Sequence, residues 1–248
     1  MSTSPSPEPD RRAPARLVEP AHHRAGREPG APISVQESQT GAPSGNSIAD
    51  RAAETCREKI LRKCGESVEM KERFFSCYAG QIEAMSREMA KRFANGRKLL
   101  VMGNGGSVCD ALHFSVEFTH PIVEKRRAFP VIPLMTDIAT MTAIGNDIDF
   151  SRVYVNQVRL HGQPGDMALA VSTSGQSANL IYAIEAAREK QMLAIAWLGK
   201  DGGRLAELAD YSFIVPSYSI HRIQEVHATL VHVAWDLIHL ALGEDDVI

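Results

Sequence analysis

The chain has 248 residues and 44% apolar content, enough to bury one sizeable core with residues to spare for an appendage. Its formal net charge of -3 comes from mixed signs, so the overall balance carries no basic stripe of the kind that holds nucleic acid, and no nucleic-acid partner is expected. No apolar run approaches the roughly 18–20 residues a membrane helix needs, which excludes a membrane partner of that kind.

Residues 1–46 hold eight of the thirteen prolines and no aromatic residue, a composition that cannot offset the entropy of ordering; a disordered tail is expected there. Arg11-Arg12 is no export signal, because Pro14, Glu19, Pro20 and His22-His23 occupy the place of an apolar stretch. The four cysteines, Cys56, Cys64, Cys77 and Cys109, are irregularly spaced and form no CxxC pair. They read as reduced thiols, and the protein as cytoplasmic.

The second unit, residues 47–248, opens with helices. Ile48, Ala52, Cys56, Ile60 and Leu61 recur at helical spacing and predict a helix over 47–63 capped by Ser47. A second helix is expected from Ser67 through Phe74, Ile82, Met89 and Phe93, stopped by Asn95-Gly96. Five short apolar runs follow, at 99–102, 131–134, 167–171, 193–198 and 211–215, separated by helix-like segments. Continuous apolar strands alternating with helices predict a parallel sheet buried on both faces. Pro133 makes the second strand short or peripheral. The last helix, from about Arg222 to Leu242, is too apolar for a lone surface helix and suggests a subunit interface.

Two turns carry the first chemistry. Gly103-Asn104-Gly105-Gly106-Ser107 joins the first strand to a helix; its glycines allow close approach of backbone to ligand, and the helix start favours an anion or a polarised oxygen. It lacks the GxGxxG spacing of a dinucleotide site. After the strand ending at Val171, Ser172-Thr173-Ser174-Gly175-Gln176-Ser177 sets four hydroxyls at a helix start, a phosphate pocket that needs no lysine or arginine. No Gly-Lys-Ser/Thr follows, so it is not a Walker loop.

His113 and Glu117 stand four apart on the helix leaving the first turn and project from one face, where they can share a metal. In isolation such a pair is more often an ordinary ion pair. The last helix adds Gln224, Glu225, His227, His232 and His239. Gln224 and His232 are separated by about 12 Å of rise and about 80° of rotation. Binding one ion by both needs a leaning His232, an irregular helix start, or ligands from different subunits.

The ordered set Gly-Asn-Gly-Gly-Ser, His113-Phe114-x-x-Glu117, Gly145-Asn146-Asp147, Ser172-Thr-Ser-Gly-x-Ser177, Lys200-Asp201-Gly202-Gly203 and Arg222-Ile-Gln-Glu-x-His227 resembles the sugar isomerase (SIS) domain family. Within it the chain is similar to the heptose-phosphate isomerases, which convert sedoheptulose 7-phosphate to D-glycero-D-manno-heptose 7-phosphate. The resemblance implies an α/β flavodoxin-like three-layer parallel sheet, a homotetramer, and one Zn2+ per subunit on His113, Glu117, Gln224 and His232. It further implies that Asn104, Gly105, Gly106, Asn146 and Asp147, with Glu117 and Gln224, face the substrate, and that Ser172, Thr173, Ser174 and Ser177 hold its phosphate.

Moving a carbonyl from C2 to C1 requires proton removal at C1, an enediol, and protonation at C2. Glu117 and His232 are the acid-base candidates, with zinc polarising the substrate oxygens. Two positions depart from the family pattern: Pro121 stands where a basic residue is usual two places after the threonine, and His221 where an aspartate commonly precedes Arg-Ile-Gln. Both leave room for another sugar phosphate. A non-enzymatic SIS relative that binds the replication initiator is the other alternative; such relatives lack the His/Glu pair retained here.

Overall fold

The computed structural model describes residues 54–122 and 126–246. The tail expected over 1–46 and the Ser47 cap lie outside the described residues. One compact unit runs from Ala52 to Ile248.

Among the described residues the two expected helical stretches meet in one helix, α1 (Cys56–Ala94). Thr55 and Glu58 close a capping box at its start, the Glu58 amide donating to Thr55 Oγ1 and the Thr55 amide to Glu58 Oε2. Gly65 reads as a break because glycine costs about 1 kcal/mol in a helix interior. Here the helix runs through, its apolar face buried from Phe74 to Phe93, and Arg62 pairs with Glu66 across that position at 2.6 Å, which offsets part of the cost. It stops where expected, at Asn95, with Gly96 at φ 71°.

The chain then alternates β1 (Leu99–Gly103), α2 (Gly106–Thr119), β2 (Val131–Pro133), α3 (Ile138–Asp147), a 3-10 turn at Phe150–Arg152, α4 (Val155–His161), β3 (Met167–Ser172), α5 (Ala178–Glu189), β4 (Leu193–Gly199), α6 (Gly203–Leu208), β5 (Tyr211–Val215) and α7 (Ile220–Ala241). All five strands are parallel in the order β2-β1-β3-β4-β5. This is the parallel sheet the apolar runs predict, in the flavodoxin-like three-layer arrangement the resemblance implies. Every residue of β1, β3 and β4 is buried, because helices cover both faces. β2 is three residues long and lies at the edge, as Pro133 requires.

α1, α2 and α7 pack together over one face, and α4, α5 and α6 over the other. Strand order reverses between β1 and β3, and the two small-residue turns leave the carboxyl ends of those two strands. That is the crevice where open α/β sheets bind ligands.

Candidate functional site

The first turn is shaped by its own backbone. The Ser107 amide donates to the Asn104 carbonyl at 3.1 Å and the Val108 amide to that of Gly105 at 3.0 Å, while Gly105 sits at φ 55°. Buried Tyr154 donates its hydroxyl to the Gly103 carbonyl; burial pushes this phenol up to about 12, so it stays a donor. Asn104 and Asn179, the latter from the first turn of α5, exchange two amide hydrogen bonds at 2.9 Å and tie the two turns together.

In the second turn the Ser172 hydroxyl accepts from the Gly175 amide at 3.0 Å and that of Ser174 from the Gln176 amide at 3.3 Å. Two of the four hydroxyls thus brace the loop while their own O–H groups remain available to donate. Ser177 begins α5 without capping it by its side chain, and that hydroxyl is free for a ligand. A β-carbon on Gly175 would stand 1.9 Å from the Gly202 carbonyl oxygen. The Lys200-Asp201-Gly202-Gly203 motif is therefore the platform on which the serine turn rests.

α2 carries His113 and Glu117 on one face, as their spacing predicts: His113 Nε2 is 3.3 Å from Glu117 Oε1. His232 of α7 completes a cluster, its Nε2 being 3.0 Å from that of His113, with the rings edge to face. The ligand atoms of the three lie within 4.8 Å of one another. Two imidazole nitrogens on one tetrahedral zinc stand about 3.3 Å apart at bonds of about 2.0–2.1 Å, so His113 with either partner fits such an ion within a few tenths of an ångström, while Glu117 and His232 must draw closer together. Gln224 of α7 reaches the start of α2. Its Nε2 occupies the space beside Gly106, where a β-carbon would come within 2.2 Å of it, seven residues and about 10 Å of helix before His113. Asn146 and Asp147 end α3, exposed and bonded to each other at 2.8 Å. Among the described residues no hydrogen bond ties them to either turn.

Behind the cluster lies a pair that the sequence did not single out as a unit. Asp110 of α2 and His227 of α7 are buried, with Asp110 Oδ2 3.9 Å from His227 Nδ1 and neither atom hydrogen-bonded. His227 Nε2 lies 3.2 Å from the Leu198 carbonyl, so that nitrogen bears the proton and Nδ1 presents a lone pair to the carboxyl. Burial pushes Asp110 up to about 6 and pulls His227 down to about 4. Asn179 and Trp235, which donates to the Glu117 carbonyl, were also missed. A poor helix former in the first turn of α5 was the available signal for Asn179; for Trp235 there was none beyond its place on an apolar helix.

Comparison with known proteins agrees with this geometry. Residues 64–199 match the SIS domain family. The phosphoheptose isomerase of Thermodesulfovibrio yellowstonii is 41% identical over 187 residues, covering 75% of this chain and 93% of that protein. Two solved structures superpose on the fold. The phosphoheptose isomerase of Neisseria gonorrhoeae does so with a TM-score of 0.69 at 37% identity, over 74% of this chain and 98% of that one. That of Francisella tularensis gives 0.72 at 34% identity, over 75% and 100%.

Proposed function

The chain belongs to the SIS domain family and is a sugar-phosphate isomerase of the phosphoheptose isomerase kind, and we propose that it converts sedoheptulose 7-phosphate to D-glycero-D-manno-heptose 7-phosphate. Relatives named phosphoheptose isomerase at about 41% identity, and the retained His113–Glu117 pair, favour the enzyme over the initiator-binding alternative. The observation that carries the proposal is the convergence of His113 and Glu117, on the helix that leaves the first of the two tied turns, with His232 of α7.

In this reading the phosphate rests at the α5 start, against the hydroxyls of Ser172, Thr173, Ser174 and Ser177 and the amides the helix leaves unpaired. The carbonyl end reaches toward Asn104, Gly105, Gly106 and the α2 face, with Asn146, Asp147 and Gln224 as further substrate contacts. Zinc, one per subunit, suits His113, Glu117 and His232, with Gln224 as the fourth ligand the family implies; when bound it supplies positive charge that stabilises the oxygen of the enediol. Glu117 and His232 are the proton carriers. One takes the C1 proton, the C–H electrons form the C1–C2 double bond, and the C2 oxygen accepts a proton. The C1 hydroxyl then releases its proton as the carbonyl forms at C1, and C2 is protonated by the acid.

Cytoplasmic residence is part of the proposal. Four free cysteines and, among the described residues, no helix long and apolar enough to cross a membrane support it. So is a homotetramer, supported by an apolar groove of about 480 Å³ between α1 and α7, lined by Phe75, Ile82, Val233, Leu237 and Leu240.

The test is incubation of the full chain with sedoheptulose 7-phosphate in heavy water, followed by NMR, with and without a chelator. Product bearing deuterium at C2, abolished by chelation, is expected. Absence of product from this sugar by a folded, zinc-supplemented protein overturns the substrate assignment. Glu117→Gln with full turnover overturns the roles given to the pair.

A further inference from the structure

The end of α2 sets where Glu117 stands, and its carbonyls can be accounted for one by one. The last four carbonyls of a helix have no partner within it unless the chain beyond supplies one. Val116 O accepts from the His120 amide at 2.9 Å, and Phe118 O from the Phe129 amide at 2.7 Å. Ser115 O takes the Thr119 hydroxyl at 2.8 Å. Glu117 O is different, because the residue four places on is Pro121, which has no N–H. Proline also drives the residue before it out of the helical region, and His120 has left it, at φ -140°, ψ 72°.

The missing donor comes from α7. Trp235, 3% exposed, gives its indole Nε1–H to Glu117 O at 2.9 Å. The indole is held in turn by Arg126, whose guanidinium carbon lies 4.5 Å from the ring centroid. Arg126 is anchored to Asp236 Oδ1 at 2.7 Å and to the Asp245 carbonyl at 2.9 Å.

We infer that Trp235, braced by Arg126, is a positioning residue that replaces the backbone donor lost at Pro121 and fixes the α2 terminus so that Glu117 meets His113 and His232. This rests on the isomerase reading above, and gives Pro121 a consequence at the reacting end of the site. Trp235 lies one turn from His232 on α7, so the same helix that brings the imidazole also latches the helix bearing the carboxylate.

The experiment compares the wild-type chain with Trp235→Phe, which keeps an aromatic ring and removes the N–H. Zinc affinity is read by competition with a chromophoric chelator, kcat and KM on sedoheptulose 7-phosphate, and folding by circular dichroism. Expected for Trp235→Phe is a fall in zinc affinity and in kcat of about 10-fold or more, the scale seen for groups that orient metal ligands, with KM changed less than about 3-fold. Pro121→Ala added to Trp235→Phe restores a backbone N–H and frees His120 to extend the helix, and recovers at least part of both losses.

A folded Trp235→Phe with wild-type zinc affinity and kcat overturns the inference. Should that variant fail to fold, the wild-type indole N–H resonances decide. The chain has two tryptophans, distinguished with Trp197→Phe; zinc must shift the Trp235 resonance, and its standing still overturns the inference equally. Failure of the isomerase reading looks different: the wild-type chain itself turns over no sugar, while the zinc-affinity comparison remains measurable.

Discussion

Gly175→Ala tests the claim that the serine turn is held by glycine on glycine. Gly175 has φ 63°, where a β-carbon costs about 1–2 kcal/mol. That carbon would lie 1.9 Å from the Gly202 carbonyl oxygen, and ordinary contact needs about 3.5 Å, so the two turns must part by roughly 1.5 Å. Parting them breaks the bond from the Leu205 amide to Gly175 O, now 3.0 Å, worth about 1 kcal/mol. The total is about 3 kcal/mol, or a melting temperature lower by about 6–12 °C for a domain of this size. The displaced turn carries Ser172, Thr173 and Ser174, so KM for the sugar phosphate should rise about 10-fold, read by steady-state kinetics beside a thermal melt. Gly105→Ala is the control: it has φ 55° but open space for a β-carbon, and should lose only the conformational part. A Gly175→Ala protein that melts within 2 °C of wild type with unchanged KM refutes the reasoning.

Gly106→Ala places its β-carbon 2.2 Å from Gln224 Nε2, the end of a flexible side chain, so stability should change by less than about 1 kcal/mol. Gln224 must swing away, and zinc affinity in a chelator titration shows whether its present place matters. Asp166→Asn breaks a half-buried pair with Lys98 at 2.5 Å and weakens the bonds from the Lys98 and Gln163 amides, at 3.1 and 2.9 Å; denaturant melts should show a loss of about 2 kcal/mol with kcat intact. Asp110→Asn isolates a pH effect. A carboxyl raised to about 6 binds its proton more tightly folded than unfolded, so its stabilising share is full below about pH 4 and is lost by about pH 6. His227, lowered to about 4, acts oppositely over about pH 4–6.5, so the two largely cancel in the wild type. The stability of Asp110→Asn relative to wild type should therefore climb by about 1 kcal/mol per pH unit from 4 to 6; a flat difference in urea titrations counts against the assignment.

Strands were legible because each is a short apolar run between glycines or prolines, and Pro133 fixed the rank of the edge strand. The His113–Glu117 pair was legible from the helix repeat alone. What was hidden depended on neighbours distant in sequence: Asn179 matters only because β1 and β3 are adjacent, and Trp235 only because α7 crosses the end of α2. The run through Gly65 was hidden for another reason, since a local glycine cost of about 1 kcal/mol is outweighed by burial of the helix face from Phe74 to Phe93 further along the same helix. Helical rise showed that Gln224 and His232 do not stack, and the two meet α2 at different residues, His232 at His113 and Gln224 at Gly106.

The amide pair between Asn104 and Asn179 also bears on how this protein ages. An asparagine followed by glycine is prone to deamidate, because the unshielded backbone nitrogen of the glycine can attack the side-chain carbonyl and convert the residue to aspartate. The chain has two such sequences, Asn95-Gly96 and Asn104-Gly105. Asn95 is exposed at a helix end, held only by a bond to the Lys91 carbonyl, and is where such damage should start. Asn104 has both side-chain atoms engaged by a buried partner, which keeps its carbonyl carbon from turning toward the Gly105 nitrogen. The bond that joins the two small-residue turns thereby also protects the asparagine of the proposed site, and the first chemical scar of storage falls at the end of α1.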